Sequence, residues 1–355
     1  MPGKQNEYYS SHQKLSLIDT SGQRLLQQSN VLVVGAGGLG CPCLQILAGA
    51  GVGIIGIADF DVVSISNLHR QALYNYNDAS KLKTQVAAER LTAYNPFISV
   101  QTHNIMVDES NVLELLSAYD IIVDGTDNFS TRYLINDACV HLNKPLVYGA
   151  IHQTEGHVTV FNYNNSPTLR CLFPKDENES IASCAEIGAY NIVTSIIGTM
   201  MANEVVKIIL HHPDVLAGKL NQLDVLSGKT FKIQYQEVEG SRQKSKERFS
   251  KSFINKTISA TKLKEKMITN QSINLVDVRE EDEHNNFNIG GINIPLQKIL
   301  NQTSFDFSTT DEIILYCQKG NRSNQAAEYL FTKGFKNALS LEGGVNLWQK
   351  ISVDI

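Results

Sequence analysis

Asn30-Val-Leu-Val-Val-Gly-Ala-Gly-Gly-Leu-Gly40 decides how the first part of the chain folds. Val31, Leu32, Val33 and Val34 form a short apolar run rich in β-branched side chains, the pattern of a buried parallel strand. Glycines follow at 35, 37 and 40, with Gly38 as an extra, so the strand runs into G-x-G-x-x-G and a helix. The glycines allow a tight turn and let the backbone approach a phosphate, while the first amides of the helix point at that anion. A second apolar strand, residues 52–58, ends in Asp59, placed to accept hydrogen bonds from ribose hydroxyls. Taken alone, the fingerprint favours NAD or FAD and an oxidoreductase.

Strand and helix patterns alternate outward from it. Residues 20–28 and 79–94 read as helices, with Leu82, Val86, Ala87 and Leu91 at helical spacing in the latter. Residues 98–103 and 119–124 read as strands, 112–118 and 131–142 as helices, and 145–150 as a strand. The sum is an α/β fold, a doubly wound parallel sheet of Rossmann type. Residues 157–163 begin a more antiparallel part, and 231–238 close a first domain spanning 1–238. Residues 239–256 are rich in Gly, Ser, Lys, Arg and Glu and read as a linker. Residues 257–355 form a smaller α/β domain, with strands at 274–279 and 312–316 and a helix over 324–333.

The bulk numbers narrow the function classes. A chain of 355 residues with 42% hydrophobic and 19% charged residues has the composition of a two-domain globular protein. A net charge of −5 gives no electrostatic ground for a nucleic-acid partner. The N-terminus has no apolar signal core, and the apolar stretch 187–210 is interrupted by Asn191, Asn203, Glu204 and Lys207. A buried helix pair is expected there, with no membrane span and a cytoplasmic location. The six cysteines form no C-x-x-C pair, so no structural zinc is expected and any functional cysteine acts singly.

The polar residues at the strand ends point away from hydride transfer. Ser66-Asn-Leu-His-Arg-Gln71 follows Asp59-Phe-Asp61, Lys83 sits one turn inside the expected next helix, and Asp124-Gly-Thr-Asp127-Asn128 ends another strand. Open α/β sheets bind ligands at these carboxyl ends. Arginine, lysine and carboxylate around a phosphate cradle suit a nucleoside triphosphate with magnesium.

Together, Val33-Val-Gly-Ala-Gly-Gly-Leu-Gly40, Asp59-Phe-Asp61, Ser66-Asn-Leu-His-Arg-Gln71, Asp124-Gly-Thr-Asp-Asn128 and Ser183-Cys-Ala-Glu186 resemble the ThiF/MoeB family of E1-like enzymes, over about two-thirds of the chain. The family adenylates the C-terminal glycine of ubiquitin-like sulfur-carrier proteins ending in Gly-Gly. The resemblance implies that Gly35, Gly37, Gly38 and Gly40 cradle the nucleotide and that Asp59 holds the ribose. It implies that Asn67, Arg70, Gln71 and Lys83 surround the phosphates, that Asp127 binds magnesium through ATP, and that Asn128 belongs to the same site. It gives Cys184 the place of a cysteine that bonds to the carrier or relays sulfur; a small residue packed beside a helix start is the alternative. Pro174 stands where zinc-binding members carry the second cysteine of a pair beginning at Cys171, and residues 223–229 lack the later pair. The family's N-terminal R-Y-x-R reads Tyr8-Tyr9-Ser10-Ser11 here, leaving His12 or Lys14 to replace an arginine that reaches the partner subunit's ATP; a homodimer is still implied.

In the second domain, Asp277-Val-Arg279 ends one strand, and Cys317-Gln-Lys-Gly-Asn-Arg322 follows another, with Ser323 opening a helix. A thiol in a short loop of inward amides at a helix start is held as thiolate or persulfide, with Lys319 and Arg322 adding positive charge. This loop, with Gly290-Gly-Ile-Asn-Ile-Pro295 and Glu342-Gly-Gly-Val-Asn-Leu-Trp348, resembles a rhodanese domain and implies a persulfide on Cys317. A phosphatase of similar fold would want a longer loop. The order of domains resembles MoeB–rhodanese fusions, which implies a sulfur donor such as a cysteine desulfurase and a thiocarboxylate product. The carrier is left open among thiamine, molybdopterin and tRNA-thiolation pathways. A nucleotide-binding module without adenylation activity and an NAD-dependent oxidoreductase are the alternatives.

Overall fold

A computed structural model describes residues 2–174, 188, 190–250, 257–269, 273–301, 306–335 and 337–352. The chain divides into two compact units, Met1–Ser250 and Lys251–Ile355.

Unit 1 is built on an eight-stranded sheet in the order β3-β2-β1-β4-β5-β6-β7-β8. Its strands are β1 (Asn30–Val34), β2 (Ile54–Ala58), β3 (Ser99–His103), β4 (Ile121–Asp124), β5 (Leu146–His152), β6 (Glu155–Phe161), β7 (Lys219–Asp224) and β8 (Thr230–Gln234). The first five pair in parallel, with Val33 opposite Ile57 on one side and Val123 on the other. The last three add on antiparallel. Alternation along β1 explains its unbroken apolar run. Val31 and Val33 face one core with α4 (Gly40–Ala50) and α9 (Asn191–Ile209), while Leu32 and Val34 face a second core with α6 (Val112–Ser117) and α7 (Phe129–Leu142).

Several expectations need correction. Among the described residues of the stretch 187–210 there is one helix, α9. Its length and composition would suit a membrane span, yet Val193, Ile197, Met201, Ala202 and Val205 are buried against the sheet and α4. The helix expected over 79–94 begins later, as α5 (Lys83–Tyr94). Leu82 is extended and bridges Val62, so Lys83 is the first helical residue rather than one turn inside. The polar stretch read as a linker contains α10 (Ser241–Ser250). Side-chain bonds hold it, together with Phe249, which packs against the second core. Asn136 Nδ2 donates to Ser245 Oγ (3.3 Å), and Arg248 bonds Glu109 (2.8 Å) and Asp137 (3.4 Å), the last carboxylate fully buried in α7. Composition reads such residues as solvated because it cannot see their partners.

Unit 2 has a five-stranded parallel sheet, β11-β10-β12-β13-β9. Its strands are β9 (Thr257–Ile258), β10 (Asn274–Asp277), β11 (Ile292–Asn293), β12 (Ile313–Tyr316) and β13 (Ala338–Leu341). Ile313, Ile314, Leu315 and Tyr316 of the central strand are wholly buried, alternating between two cores. Helices α11 (Ala260–Ile268), α12 (Glu281–Asn286), α13 (Leu296–Asn301), α14 (Asn321–Thr332) and α15 (Gly344–Ser352) complete the unit.

Candidate active sites

A cavity of about 370 Å³ opens at the carboxyl ends of β1, β2 and β4 in unit 1. This is where the strand order reverses, the place at which doubly wound sheets bind ligands. Gly35, Gly37, Gly38, Asp59, Asn67, Arg70, Gln71, Lys83, Asp127 and Asn128 all line it. Gly40 does not. A Cβ on Gly40 would lie 1.9 Å from the Gly35 carbonyl oxygen, so this glycine lets α4 start hard against the turn. Gly35 has a φ of +93°, and a Cβ there would sit 2.8 Å from the Gly125 oxygen at the end of β4. The two strand ends therefore come together backbone to backbone.

The carboxylate of Asp59 is tied into the turn, accepting from the Ala36 and Asp61 amides at 2.8 Å each. Burial raises its pKa, while Lys83 and the two amides act in the opposite sense. Because Lys83 opens α5, its buried side chain turns back to place Nζ 2.8 Å from Asp61 Oδ2. Arg70 Nη2 donates to Asn67 Oδ1 at 2.8 Å, which fixes the guanidinium within one short turn. Gln71 is buried, and its Oε1 has no hydrogen-bond partner among the described residues. An orphaned acceptor in the cavity wall suits a ligand with polar hydrogens. Asn128 has a second duty: its Oδ1 accepts from the Thr131 amide (2.9 Å) and caps α7.

A third cavity cation was missed from sequence. Arg132 lies inside α7, packs over the rings of Phe129 and Tyr148, and donates to Tyr148 Oη (2.9 Å) and the Thr126 carbonyl (2.6 Å). Its signal was available: it follows the Asn128 cap by four residues, on the first turn of the helix after the switch-point strand. Ile105, Met106 and Val107, which form an apolar wall, carried no such signal because they come from a loop.

Asp127 is exposed in the cavity and makes no hydrogen bond or ion pair among the described residues. One free hard carboxylate beside a phosphate cradle fits magnesium, which takes one or two protein carboxylates plus phosphate oxygens. Cys184 lies outside the described residues. His12 does not reach this cavity within the chain. Its Nδ1 is 3.2 Å from Gln23 Oε1, and Gln23 Nε2 donates to the Ala50 carbonyl at the far end of α4, ~16 Å from Gly40 along eleven helical residues. Residues 223–229 span the turn between β7 and β8, whereas the segment that reaches Cys171 is at Val238, whose amide approaches its Sγ at 3.5 Å.

In unit 2, Cys317 follows β12 and is buried. The Gly320 amide donates to its Sγ at 3.2 Å, and Ser323 Oγ lies 3.6 Å away. Ser323 is paired at 2.7 Å with Ser340 Oγ on β13, and both are buried. Gly320, with φ of +98°, caps α14, so Arg322 and Ser323 fall in that helix's first turn, three residues earlier than expected. The Glu342-Gly-Gly-Val-Asn motif braces the loop: Val345 and Asn346 amides donate to the Cys317 and Gln318 carbonyls (2.9 and 3.1 Å). Arg279 is held by buried Asp277 (2.6 Å), which also meets His284 Nδ1 (2.9 Å). Arg322 Nη1 and Nη2 both bond Glu283, at 2.6 and 2.7 Å, so the positive charge that the sequence places beside the thiol is shared with a carboxylate. Lys319 remains exposed.

The ThiF family model matches residues 9–247, and the rhodanese-like domain model matches residues 259–351. The "Probable molybdopterin-synthase adenylyltransferase" of Porphyra purpurea is 37% identical, over 97% of this chain and 92% of its own length. The "Probable adenylyltransferase/sulfurtransferase MoeZ" of Mycobacterium tuberculosis is 34% identical, over 96% and 92%. The "Sulfur carrier protein adenylyltransferase" of Thermus thermophilus is 43% identical, over 63% and 85%. Among solved structures, E. coli MccB with ATP superposes with a TM-score of 0.58 at 22% identity, covering 66% of this chain and 73% of that one. At that identity the likeness establishes the fold only.

Proposed function

The chain belongs to the ThiF family and carries a C-terminal rhodanese-like domain, and from that premise we propose an ATP-dependent enzyme that activates a ubiquitin-like sulfur-carrier protein and then sulfurates it. It is a nucleotidyltransferase with sulfurtransferase activity, as its full-length relatives are named. The observation that carries the finer reading is the convergence of Arg70, Lys83 and Asp127 on one cavity beside the glycine turn.

On this reading the carrier's terminal carboxylate attacks the α-phosphorus of ATP and pyrophosphate leaves. Gly35, Gly37 and Gly38 let the backbone approach the phosphates, and Asp59 accepts from the ribose. Arg70, held by Asn67, and Lys83, held by Asp61, donate to the non-bridging oxygens where charge builds in the transition state. Arg132 holds the Thr126 turn that presents Asp127. Asp127 would hold a magnesium ion, which when bound supplies further neutralisation of phosphate charge. In the second half-reaction the outer sulfur of the Cys317 persulfide attacks the acyl-adenylate carbonyl and AMP leaves, giving an acyl disulfide with Cys317. A second thiol then attacks Cys317 Sγ, the S–S bond breaks, the carrier leaves as a thiocarboxylate, and the two thiols are left as a disulfide that a thiol reductant reopens. A cysteine desulfurase is the proposed source of that sulfur, and molybdopterin synthesis the first pathway to test. The enzyme is read as cytoplasmic. Leu15, Leu17 and Leu25 are exposed beside the N-terminal arm, a patch that a second copy would cover in a homodimer.

The test is ATP–pyrophosphate exchange with Mg²⁺ in the presence of each Gly-Gly carrier. Exchange with one carrier supports the reading and identifies the partner. ATP binding without exchange for any carrier would favour a binding module. With the right carrier, Cys317→Ser should accumulate carrier adenylate without thiocarboxylate, read by mass spectrometry.

A further inference from the structure

The sulfurtransferase reading of unit 2 leaves open which donor charges Cys317, and the setting of Arg322 bears on that question. A small inorganic donor such as thiosulfate is a dianion, and a guanidinium fork is the group best shaped to bind one. In this chain the fork is already filled. Arg322 Nη1 and Nη2 donate to Glu283 Oε2 and Oε1 at 2.6 and 2.7 Å, so both carboxylate oxygens are engaged. The two side chains are 33% and 37% exposed, which puts the pair at the surface beside the loop rather than in the core. Arg322 is close enough to Cys317 for the thiol's charge to bear on it.

Glu283 is itself held in place. Its Oε2 accepts from the Glu280 amide (3.3 Å), and the next residue, His284, anchors α12 to buried Asp277. The other arginine of this region, Arg279, is spent on Asp277 and the Gln318 side chain. Helix α12 also carries exposed Glu281 and Asp282, with exposed Glu280 at its cap. Both arginines near the thiol are thus neutralised, and the adjoining helix is acidic.

We propose that Glu283 is a specificity-determining residue: by occupying the Arg322 fork it excludes small dianionic sulfur donors from the Cys317 loop. The reaction it suppresses is explicit. The Cys317 thiolate attacks the outer sulfur of thiosulfate, the S–S bond breaks, and sulfite leaves with the electron pair. Cyanide then removes the outer sulfur as thiocyanate and returns the thiolate.

The experiment uses the full chain, thiosulfate as donor and cyanide as acceptor, with thiocyanate as readout. Glu283→Gln keeps the side chain's size and frees the fork. Its KM for thiosulfate should fall about tenfold or more, the value of one charge-assisted hydrogen-bonded contact, with kcat within about twofold. The gain should shrink as salt rises, and Glu283→Gln combined with Arg322→Ala should lose it. An unchanged or higher KM in Glu283→Gln, or a gain that survives in the double variant, overturns the role of Glu283. Glutathione persulfide serves as a second donor. Persulfide formed on Cys317 from it, with no KM change toward thiosulfate, sinks only the Glu283 proposal. Failure of Cys317 to accept sulfur from either donor in any form sinks the sulfurtransferase reading itself.

Discussion

Replacing Arg70 with alanine separates binding from chemistry in unit 1. At a half-buried site, the side chain donates to Asn67 Oδ1 at 2.8 Å and meets His69 Nε2 at 3.4 Å. Losing the Asn67 bond costs about 1 kcal/mol of stability, equivalent to about 2–4 °C in the melting of a unit of this size. The cost to catalysis is larger. Arg70 sits beside Gly38, with its Cδ 3.7 Å from where a Cβ on that glycine would lie, and the proposed reaction has its guanidinium meet the phosphate oxygens rather than the base. An interaction that strengthens as charge develops in the transition state is worth ~3–4 kcal/mol, or about 10²–10³ in rate. Carrier-dependent ATP–pyrophosphate exchange should therefore fall by that factor in kcat, with the KM for ATP raised less than about threefold. Arg70→Lys should fall between, since an ammonium retains the charge but not the fork that bonds Asn67 and phosphate together. Equal losses in ATP affinity and turnover, or turnover unchanged, would refute transition-state stabilisation by Arg70.

Three further outcomes follow from other parts of the molecule. Gly40→Ala places a methyl 1.9 Å from the Gly35 oxygen, so the phosphate turn must shift, and ATP affinity by calorimetry should drop at least about tenfold. Arg132→Met leaves Tyr148 Oη and the Thr126 carbonyl without their donor; a loss of about 2–3 kcal/mol is expected, read as a lower denaturation midpoint, together with weaker exchange as the Thr126 turn loosens. Asp277 is a pH test. Burial would raise its pKa, but the bonds from Arg279 and His284 outweigh burial and hold it below the usual carboxylate range. A lowered folded pKa gives stability that is present above the unfolded value near 4 and is lost as pH falls through the folded one. The melting of unit 2 should thus weaken below about pH 4, and Asp277→Asn should flatten that dependence; an equally steep profile in the variant would assign it to other groups.

The site in unit 1 was largely legible because it is built from short local motifs. Glycines at fixed spacing, an acid at the end of the next strand and the Asn67-to-Gln71 turn each specify their own backbone, and the parallel sheet then brings them to one end. Lys83 lines the cavity, but at the start of α5 rather than one turn inside it, since an extended Leu82 bridging Val62 delays the start of the helix. The polar stretch after residue 238 was misread because its arginines and serines find partners more than seventy residues away, in Asn162, Asn136, Asp137 and Glu109.

The sequence by itself determined the two-domain order, the doubly wound class, the glycine cradle and the Cys317 loop, since each rests on local periodicity or on backbone freedom at named positions. Tertiary structure decided which charges are available. Arg132 enters the cavity, Arg322 is neutralised by Glu283, and His12 sits at the wrong end of α4 to serve its own chain. The physical reason is that a charged side chain acts according to its nearest partner and its burial. Those are set by the packing of segments far apart in the chain, not by the residues beside it.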